Sequence, residues 1–326
     1  MPIAKSALVA HTAAGARPTR ALTDNAADTI RAIGLVALAY AVLSIGDAAA
    51  KWSMLSTSVA WVLLWRGLFG GGAVLAVVAF RGEPEHWRRL IPVRWKLLFL
   101  RAALASFSTF AWYLSWRHMQ LADTYALGFT APLIMTLLAI PMLRERIRWR
   151  RLLSTLLGFS GVLVMLRPGG DLWSPALPVL MAGIVAMAIT RILARQLSVT
   201  ETPECQAFWL MASTAISGLL LFGLFPPEHV SANSVWLALA FLGISSGLAH
   251  CIFTYAYGLA PVSALAPYEY TMLIWGGAAG FLIFAEVPSF STMIGAAIVA
   301  AAGLYNLHRE RVRQREASAM SGPSRG

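Results

Sequence analysis

Residues 121–166, LADTYALGFTAPLIMTLLAIPMLRERIRWRRLLSTLLGFSGVLVML, decide the fold, because two apolar blocks flank a run of arginines. The blocks cover 121–143 and 152–166, and the arginines fall between them. A helix needs about 20 apolar residues to cross the hydrocarbon of a bilayer. The first block has that length, and the second fits a short or tilted span. The stretch therefore predicts two membrane-spanning helices joined by a connection that lies in water.

The same pattern of apolar blocks extends over most of the chain. Of 326 residues, 58% are hydrophobic and 13% are charged, with a mean hydropathy of +0.66. A soluble domain carries about twice that share of charge. Long unbroken blocks indicate helices, whereas the strands of a barrel are shorter and alternate polar with apolar residues. We predict an all-α membrane protein of ten transmembrane helices, at 32–50, 57–80, 97–116, 121–143, 152–166, 173–190, 205–225, 235–260, 262–285 and 287–307.

The net charge of +11 is an orientation signal and does not indicate a nucleic-acid partner. With ten spans, almost all Lys and Arg residues fall in the two terminal tails and in every second connection. This asymmetry follows the positive-inside rule and predicts a multi-pass protein of the bacterial inner membrane with both termini in the cytoplasm. Residues 1–30 then form a cytoplasmic tail, and the basic tail 311–326 is predicted to be disordered.

The two halves of the chain resemble each other weakly. LRERIRWRRLLSTLLGFSGVLVML (143–166) aligns with FAEVPSFSTMIGAAIVAAAGLYNL (284–307), which pairs Glu145 with Glu286. We therefore divide the chain into repeats at 31–167 and 168–310, each with five helices. Because five is odd, the repeats enter the membrane from opposite sides. Inverted repeats are typical of secondary transporters, whose substrate site lies near the midplane where the repeats meet.

Three charged residues within or at the end of the first two spans are candidates for function. Asp47 and Lys51 lie four residues apart near one end of the first span and share a helix face. Arg66 lies well inside the second span, within reach of Asp47. One interpretation is a structural ion pair that holds the first helical hairpin together. The other is a guanidinium that binds a substrate carboxylate, and the two interpretations are compatible.

Glu269 is the fourth candidate, in the stretch Pro267-Tyr268-Glu269-Tyr270 of the ninth span. An acid within the membrane suits proton coupling or the capture of a cationic group. The alternative is a Glu that caps the start of a helix near the cytoplasmic surface. Four aromatic side chains are candidates to stack on a planar or cationic ligand, although a packing or interfacial role explains any single one better: Trp65, Tyr113, Tyr268 and Trp275.

Catalytic and metal-binding motifs do not fit this pattern. Gly243-Ile244-Ser245-Ser246-Gly247 matches G-x-S-x-G but lies in the middle of a predicted span, without the strand–turn–helix context of a nucleophile elbow. Walker A, H-E-x-x-H and C-x-x-C motifs are absent from the sequence. We therefore predict that the protein is not an enzyme and uses no cofactor or metal.

The chain resembles the drug/metabolite transporter superfamily, specifically proteins with two EamA-type domains. The resemblance is strongest over 121–169, which includes Pro132, Glu145 and Gly161. It implies ten helices in two inverted five-helix repeats, both termini inside and no ATPase. Within the superfamily, GDAAAKW (46–52), LRAALASFSTFAWYLSW (100–116) and APYEYT (266–271) are most similar to bacterial S-adenosylmethionine uptake carriers, although those carriers have a basic residue at the position of Glu269.

The sequence and the resemblance together predict a secondary active transporter of a small organic metabolite. An S-adenosylmethionine-like substrate suits the candidate residues: aromatic rings for adenine, Arg66 for the carboxylate and Glu269 for an ammonium or sulfonium group. The alternative within transport is an exporter of amino acids or toxic metabolites. The alternatives from another class are a membrane-embedded scaffold or enzyme. The expected partners are the substrate and the lipid bilayer, with the protein a monomer or a homodimer.

Overall fold

The architecture was analysed in a computed structural model of the full chain. The residues that the structure describes are 26–80, 86–131, 133–134, 137–138, 149–166, 173–197, 200–226, 232–259 and 271–320. Within these ranges the chain forms ten α-helices, two short 3₁₀ helices and no strand. The 3₁₀ helices are His86–Leu90 and Leu221–Gly223. The α-helices are α1 (Ala26–Ser53), α2 (Val59–Phe80), α3 (Trp95–Trp116), α4 (Leu121–Gly128), α5 (Trp149–Met165), α6 (Leu177–Leu197), α7 (Pro203–Leu220), α8 (Asn233–Leu259), α9 (Thr271–Phe284) and α10 (Phe290–Met320).

Each predicted span coincides, at least in part, with one of these helices. Six of them, α1, α2, α3, α6, α7 and α8, are long and apolar enough to cross a membrane. Shorter apolar helical stretches lie in α5, α9 and α10. The fourth span is described in part, as α4 and a few helical residues beyond it. The all-α membrane class predicted from the sequence is confirmed.

The C-terminal end of the chain differs from the prediction. Residues 311–326 were expected to be disordered, but α10 continues to Met320. Residues 308–320 are rich in Arg, Glu, Gln and Ala, which are strong helix formers. The helix of the last span therefore continues into the polar tail.

Helices of the first half pack mainly on helices of the second half. Helix α1 packs on α8 and α9, α2 on α7 and α8, α3 on α6 and α7, and α5 on α10. Shifting each helix number by five converts the α1–α8 pair into α6–α3, and the α2–α8 pair into α7–α3. The same shift leaves α2–α7 and α5–α10 unchanged. These main contacts are therefore preserved when the two halves are exchanged, whereas the α1–α9 contact has only a weak counterpart between α6 and α4.

Glycines allow the closest of these helix crossings. A Cβ atom added to Gly161 of α5 would lie 2.7 Å from the Gly295 carbonyl oxygen of α10. In α8, both Gly243 and Gly247 face the backbone of Gly70 in α2. Side chains at these positions would separate the helices, so the G-x-x-x-G spacing is explained by packing.

The side chains that face outward from the helix bundle are largely apolar, unlike those on the surface of a soluble protein. Large apolar side chains face outward on most helices, such as Leu38 of α1, Leu219 of α7 and Leu237 of α8. The buried residues include a cation, Arg66, together with serine and threonine hydroxyls. An apolar exterior around a partly polar interior is what a lipid environment requires.

Candidate functional site

Arg66 is the centre of a polar site in the middle of the helix bundle. It is the eighth of the 22 residues of α2 and is 7% exposed. Its Nε donates a hydrogen bond to Ser246 Oγ of α8 at 3.2 Å, and its Nη1 donates to Thr109 Oγ1 of α3 at 3.3 Å. Because α2 and α3 belong to the first half and α8 to the second, the guanidinium bridges the two halves. Among the described residues its polar partners are hydroxyls, and no carboxylate lies within ion-pair distance.

One aromatic ring with an unused donor, that of Tyr113, lies against this guanidinium, and the next residue in sequence to Arg66, Trp65, carries a second unused donor. The Arg66 Cζ atom lies 5.7 Å from the centroid of the Tyr113 ring, a distance at which a cation and a ring attract each other. The Tyr113 hydroxyl and the Trp65 indole N–H are both buried and have no hydrogen-bond partner in the described part of the chain. Buried donors are normally satisfied, so these groups call for an acceptor beyond those that the described residues supply.

Trp65 is fixed by neighbouring rings. Its ring is perpendicular to Trp236 of α8, with centroids 4.8 Å apart, and it also contacts Trp61 and Phe69 of its own helix. Helices α2 and α8 therefore share an aromatic cluster beside Arg66. Pairs of this geometry stabilise packing beyond the area that they bury, so the cluster contributes to the contact between α2 and α8.

Asp47 contacts Tyr125 and not either of the cations considered from the sequence. Its Oδ2 accepts a hydrogen bond from the Tyr125 hydroxyl of α4 at 2.7 Å. Lys51 pairs with Glu286 instead, and Asp47 and Arg66 attract each other without forming an ion pair. The suggested ion pair within the first hairpin is thus replaced by a contact between α1 and α4.

A row of rings connects the Arg66 site to Asp47. Tyr113 packs on Trp116 with centroids 4.9 Å apart, and Trp116 lies 6.4 Å from Tyr125. The row begins at the guanidinium and ends at the hydroxyl that binds the carboxylate. The Arg66 guanidinium and the Asp47 carboxylate therefore lie at opposite ends of one row of aromatic rings and do not form an ion pair with each other.

Lys51 and Glu286 form an ion pair where α1 ends. The Lys51 Nζ atom contacts Glu286 Oε1 and also donates to the Met119 carbonyl at 2.8 Å. The second carboxylate oxygen, Glu286 Oε2, accepts from the Leu121 backbone N–H at 3.0 Å. Three segments meet here: the end of α1, the α3–α4 connection and the α9–α10 connection. We call these four residues the end junction.

The opposite end of the bundle has its own contacts between the halves. Glu201 accepts hydrogen bonds from the backbone N–H groups of Val93, at 3.0 Å, and Arg94, at 2.6 Å. Arg89 forms an ion pair with Glu204 at 3.5 Å. The connection between α2 and α3 is thereby attached to the start of α7.

The structure brings together some of the predicted residues and leaves others apart. Arg66 and Tyr113 are in contact, whereas the Trp65 ring packs against Trp236. Trp275 of α9 is 43% exposed and supplies none of the contacts to Arg66 given above. Glu269 and Tyr268 lie outside the described residues, so their roles stay predictions.

Four side chains that form hydrogen bonds or ion pairs with Arg66, Asp47 or Lys51 were not singled out as site residues from the sequence. Thr109 and Ser246 are hydroxyl residues on helices distant in sequence, and pairing them with Arg66 requires the fold. Tyr125 is one of many aromatic residues in the spans. Glu286 did carry a signal, because the repeat alignment pairs it with Glu145.

The fold and the buried charges define a class of protein: a polytopic membrane protein with a polar centre between its halves. Comparison with protein families makes the identification specific. Residues 30–167 and 174–306 each match the EamA-like transporter family. The chain belongs to this family, which consists of membrane transporters and not of enzymes.

Curated relatives share about a quarter of their residues with this chain. A protein of Rickettsia prowazekii (strain Madrid E) named "S-adenosylmethionine uptake transporter" is 28% identical over 65% of this chain and 71% of the relative. A protein of Brucella anthropi named "Riboflavin transporter" is 27% identical over 86% of this chain and 98% of the relative. A solved crystal structure superposes with a TM-score of 0.64 at 20% identity, covering 86% of this chain and 98% of the other. This last similarity shows the fold alone.

Proposed function

We propose that the protein is a secondary carrier that moves a small organic metabolite across the bacterial inner membrane by alternating access. In this proposal its ten helices all span the membrane as two inverted repeats, with both termini in the cytoplasm. The observation that carries the proposal is Arg66: a buried guanidinium that bridges the halves and has hydroxyl and ring partners but no carboxylate among the described residues. A buried cation without a counter-ion is costly, and a substrate anion would remove that cost.

The packing scheme supports the inverted repeats. Contacts that are preserved when the halves are exchanged are expected of two structurally equivalent halves related by a pseudo-two-fold axis. Arg66 lies on α2, whose packing partners α7 and α8 both belong to the second half. A change in the angle between the halves would therefore alter the Arg66–Ser246 contact directly.

The site favours a substrate that carries a carboxylate and a planar or cationic group. Arg66 and the Tyr113 hydroxyl offer donors to a carboxylate. The rings that lead to Asp47 offer stacking surfaces, and Asp47 offers an acceptor to an ammonium or sulfonium group. The relatives named for S-adenosylmethionine and riboflavin uptake make these compounds the first candidates, and amino acids are the third.

Uptake into proteoliposomes tests the proposal. Labelled S-adenosylmethionine, riboflavin and amino acids are offered to the wild type, Arg66→Lys and Arg117→Lys. Arg117 is exposed at the end of α3, so its replacement is the matched control. Lysine keeps the charge but not the forked donors, so we expect Arg66→Lys to raise the KM about tenfold or more, as the loss of one charge-assisted bond predicts. The control should leave the KM unchanged.

Two results would contradict the proposal. The first is the absence of saturable flux for every compound in the panel. The second is an equal change in KM for the two lysine variants, because the effect would then not come from the site.

Coupling to protons is tested on Glu269, the second charge proposed for transport. Glu269→Gln keeps the size of the side chain and removes its proton chemistry. With a coupled proton, we expect a pH gradient to accelerate uptake by the wild type and not by the variant. Equal acceleration of both would leave Glu269 without a coupling role. The sign of the gradient that drives flux also distinguishes uptake from export.

A further inference from the structure

The end junction is a compact cross-connection between the two halves. Lys51, Met119 and Leu121 come from the first half, and Glu286 comes from the second. The side chains of Lys51 and Glu286 are 11% and 14% exposed, so the pair is largely shielded from water. Attraction between charges is stronger in such a setting than at an open surface, and losing one partner leaves the other charge poorly solvated.

Glu286 also completes the start of α4. The first N–H groups of a helix lack partners within the helix, and Gln120 at the N-cap position makes no side-chain capping bond. Glu286 supplies the missing acceptor from the α9–α10 connection, through its bond to the Leu121 N–H. A carboxylate at this position also interacts favourably with the helix dipole. The same side chain thus neutralises Lys51 and caps a helix of the other half.

The end junction lies one helical turn from Asp47 and Tyr125. On α1, Asp47 precedes Lys51 by four residues, and on α4, Leu121 precedes Tyr125 by four. Residues four apart share a helix face, so α1 and α4 are joined at two successive levels. The inner level is the Asp47–Tyr125 hydrogen bond, and the outer level is the end junction. A displacement at one level is transmitted to the other through a single turn of each helix.

We infer that the end junction is a latch that closes one end of the substrate route, and that a ligand engaging Asp47 or Tyr125 releases it. This inference rests on the proposed function, which places the end junction on the periplasmic side. Opening separates Lys51 from Glu286 and removes the cap from α4, so the closed state is favoured until the inner level is disturbed. A ligand cation that competes for Asp47 weakens the Asp47–Tyr125 bond and with it the register of α1 against α4.

Accessibility labelling tests the latch without a known substrate. Ser44 is fully buried on the same face of α1, three residues before Asp47, and therefore lies behind the end junction. A Ser44→Cys reporter is placed in a Cys205→Ser, Cys251→Ser background and exposed to a membrane-impermeant maleimide from outside intact spheroplasts. Adding Glu286→Gln removes the ion pair and keeps the side-chain volume. We expect labelling about tenfold faster, the factor that corresponds to the loss of one charge-assisted contact.

Two further variants separate a latch from general loosening. Glu204→Gln removes the ion pair with Arg89 at the opposite end, and we expect it to leave periplasmic labelling unchanged. Compared with Glu286→Gln, the double variant Lys51→Gln/Glu286→Gln additionally loses only the bond from Lys51 to the Met119 carbonyl, so its further acceleration should be smaller than that caused by Glu286→Gln itself. Size-exclusion chromatography and near-UV circular dichroism check that each variant is folded.

Unchanged labelling in folded Glu286→Gln would overturn the latch, and so would an equal acceleration by Glu204→Gln. The readout does not depend on flux. Transport in proteoliposomes with unchanged labelling would keep the carrier and overturn the latch. Faster labelling in Glu286→Gln alone, in a protein that transports no panel compound, would keep the latch and overturn the proposed substrates.

Discussion

At the scale of single residues, the hydrogen bond from Tyr125 to Asp47 is the contact that holds α1 against α4 inside the bundle. Tyr125→Phe removes the hydroxyl and keeps the ring. Hydrogen bonds to charged acceptors contribute strongly in soluble proteins, whereas side-chain hydrogen bonds within membrane proteins average less. We therefore expect the free energy of unfolding to fall by about 1 kcal/mol. Thermal unfolding in detergent measures the change.

The control for this substitution is Tyr305→Phe. Tyr305 lies on α10 and is 46% exposed, so the loss of its hydroxyl should leave stability unchanged. If both variants unfold at the temperature of the wild type, the Asp47 contact contributes nothing measurable. The latch predicts one more effect: the Ser44→Cys reporter should label faster in Tyr125→Phe than in Tyr305→Phe.

The sequence identified the charges of the site but not their partners. Arg66, Asp47 and Lys51 stand out because an ionised group in a span needs a partner or water. Spacing along a helix favoured Asp47–Lys51, yet Lys51 pairs with Glu286, 235 residues away. Local spacing gives the residues that share a helix face. It gives no information on which distant segment that face meets.

At the scale of helices, the crossing of α5 and α10 depends on glycine. A Cβ added to Gly161 would approach the Gly295 carbonyl oxygen, a backbone atom that moves only with its helix. We expect Gly161→Ala to lower the free energy of unfolding by about 1–3 kcal/mol, the range for overpacked sites. Gly72→Ala is the matched control, because nothing lies within 4 Å of its added Cβ. Thermal unfolding in detergent compares the two, and equal midpoints would show that the crossing tolerates a methyl group.

Helix positions were predictable because hydrophobic length is itself the physical requirement for a span. The second predicted span, 57–80, corresponds to Val59–Phe80, and the eighth, 235–260, to Asn233–Leu259. The ends were less predictable where the chain leaves the apolar region. Helix α10 continues to Met320 because helix propensity, unlike hydropathy, does not stop at the membrane surface.

At the scale of the whole molecule, polar contacts join the two halves at both ends of the helix bundle. The end junction connects them at one end, and Glu201 with the Arg89–Glu204 pair connects them at the other. A carrier that works by alternating access must break each set of contacts in turn. Neither set was visible in the sequence, since each joins segments more than 100 residues apart. Arg66 lies between the two ends, where a substrate would affect both.

This arrangement requires that both termini lie in the cytoplasm, which makes topology the decisive test at this scale. Ten spans place the C-terminus inside and the segment between α5 and α6 outside. We expect a green fluorescent protein fused to the C-terminus to fluoresce, and alkaline phosphatase at the same position to be inactive. A Trp173→Cys reporter without the native cysteines should react with impermeant maleimide from outside, since Trp173 is 62% exposed. Active phosphatase at the C-terminus would mean either an odd number of spans or the reversed orientation of the whole bundle. In both cases the end junction and the Arg89–Glu204 pair would lose their assigned sides.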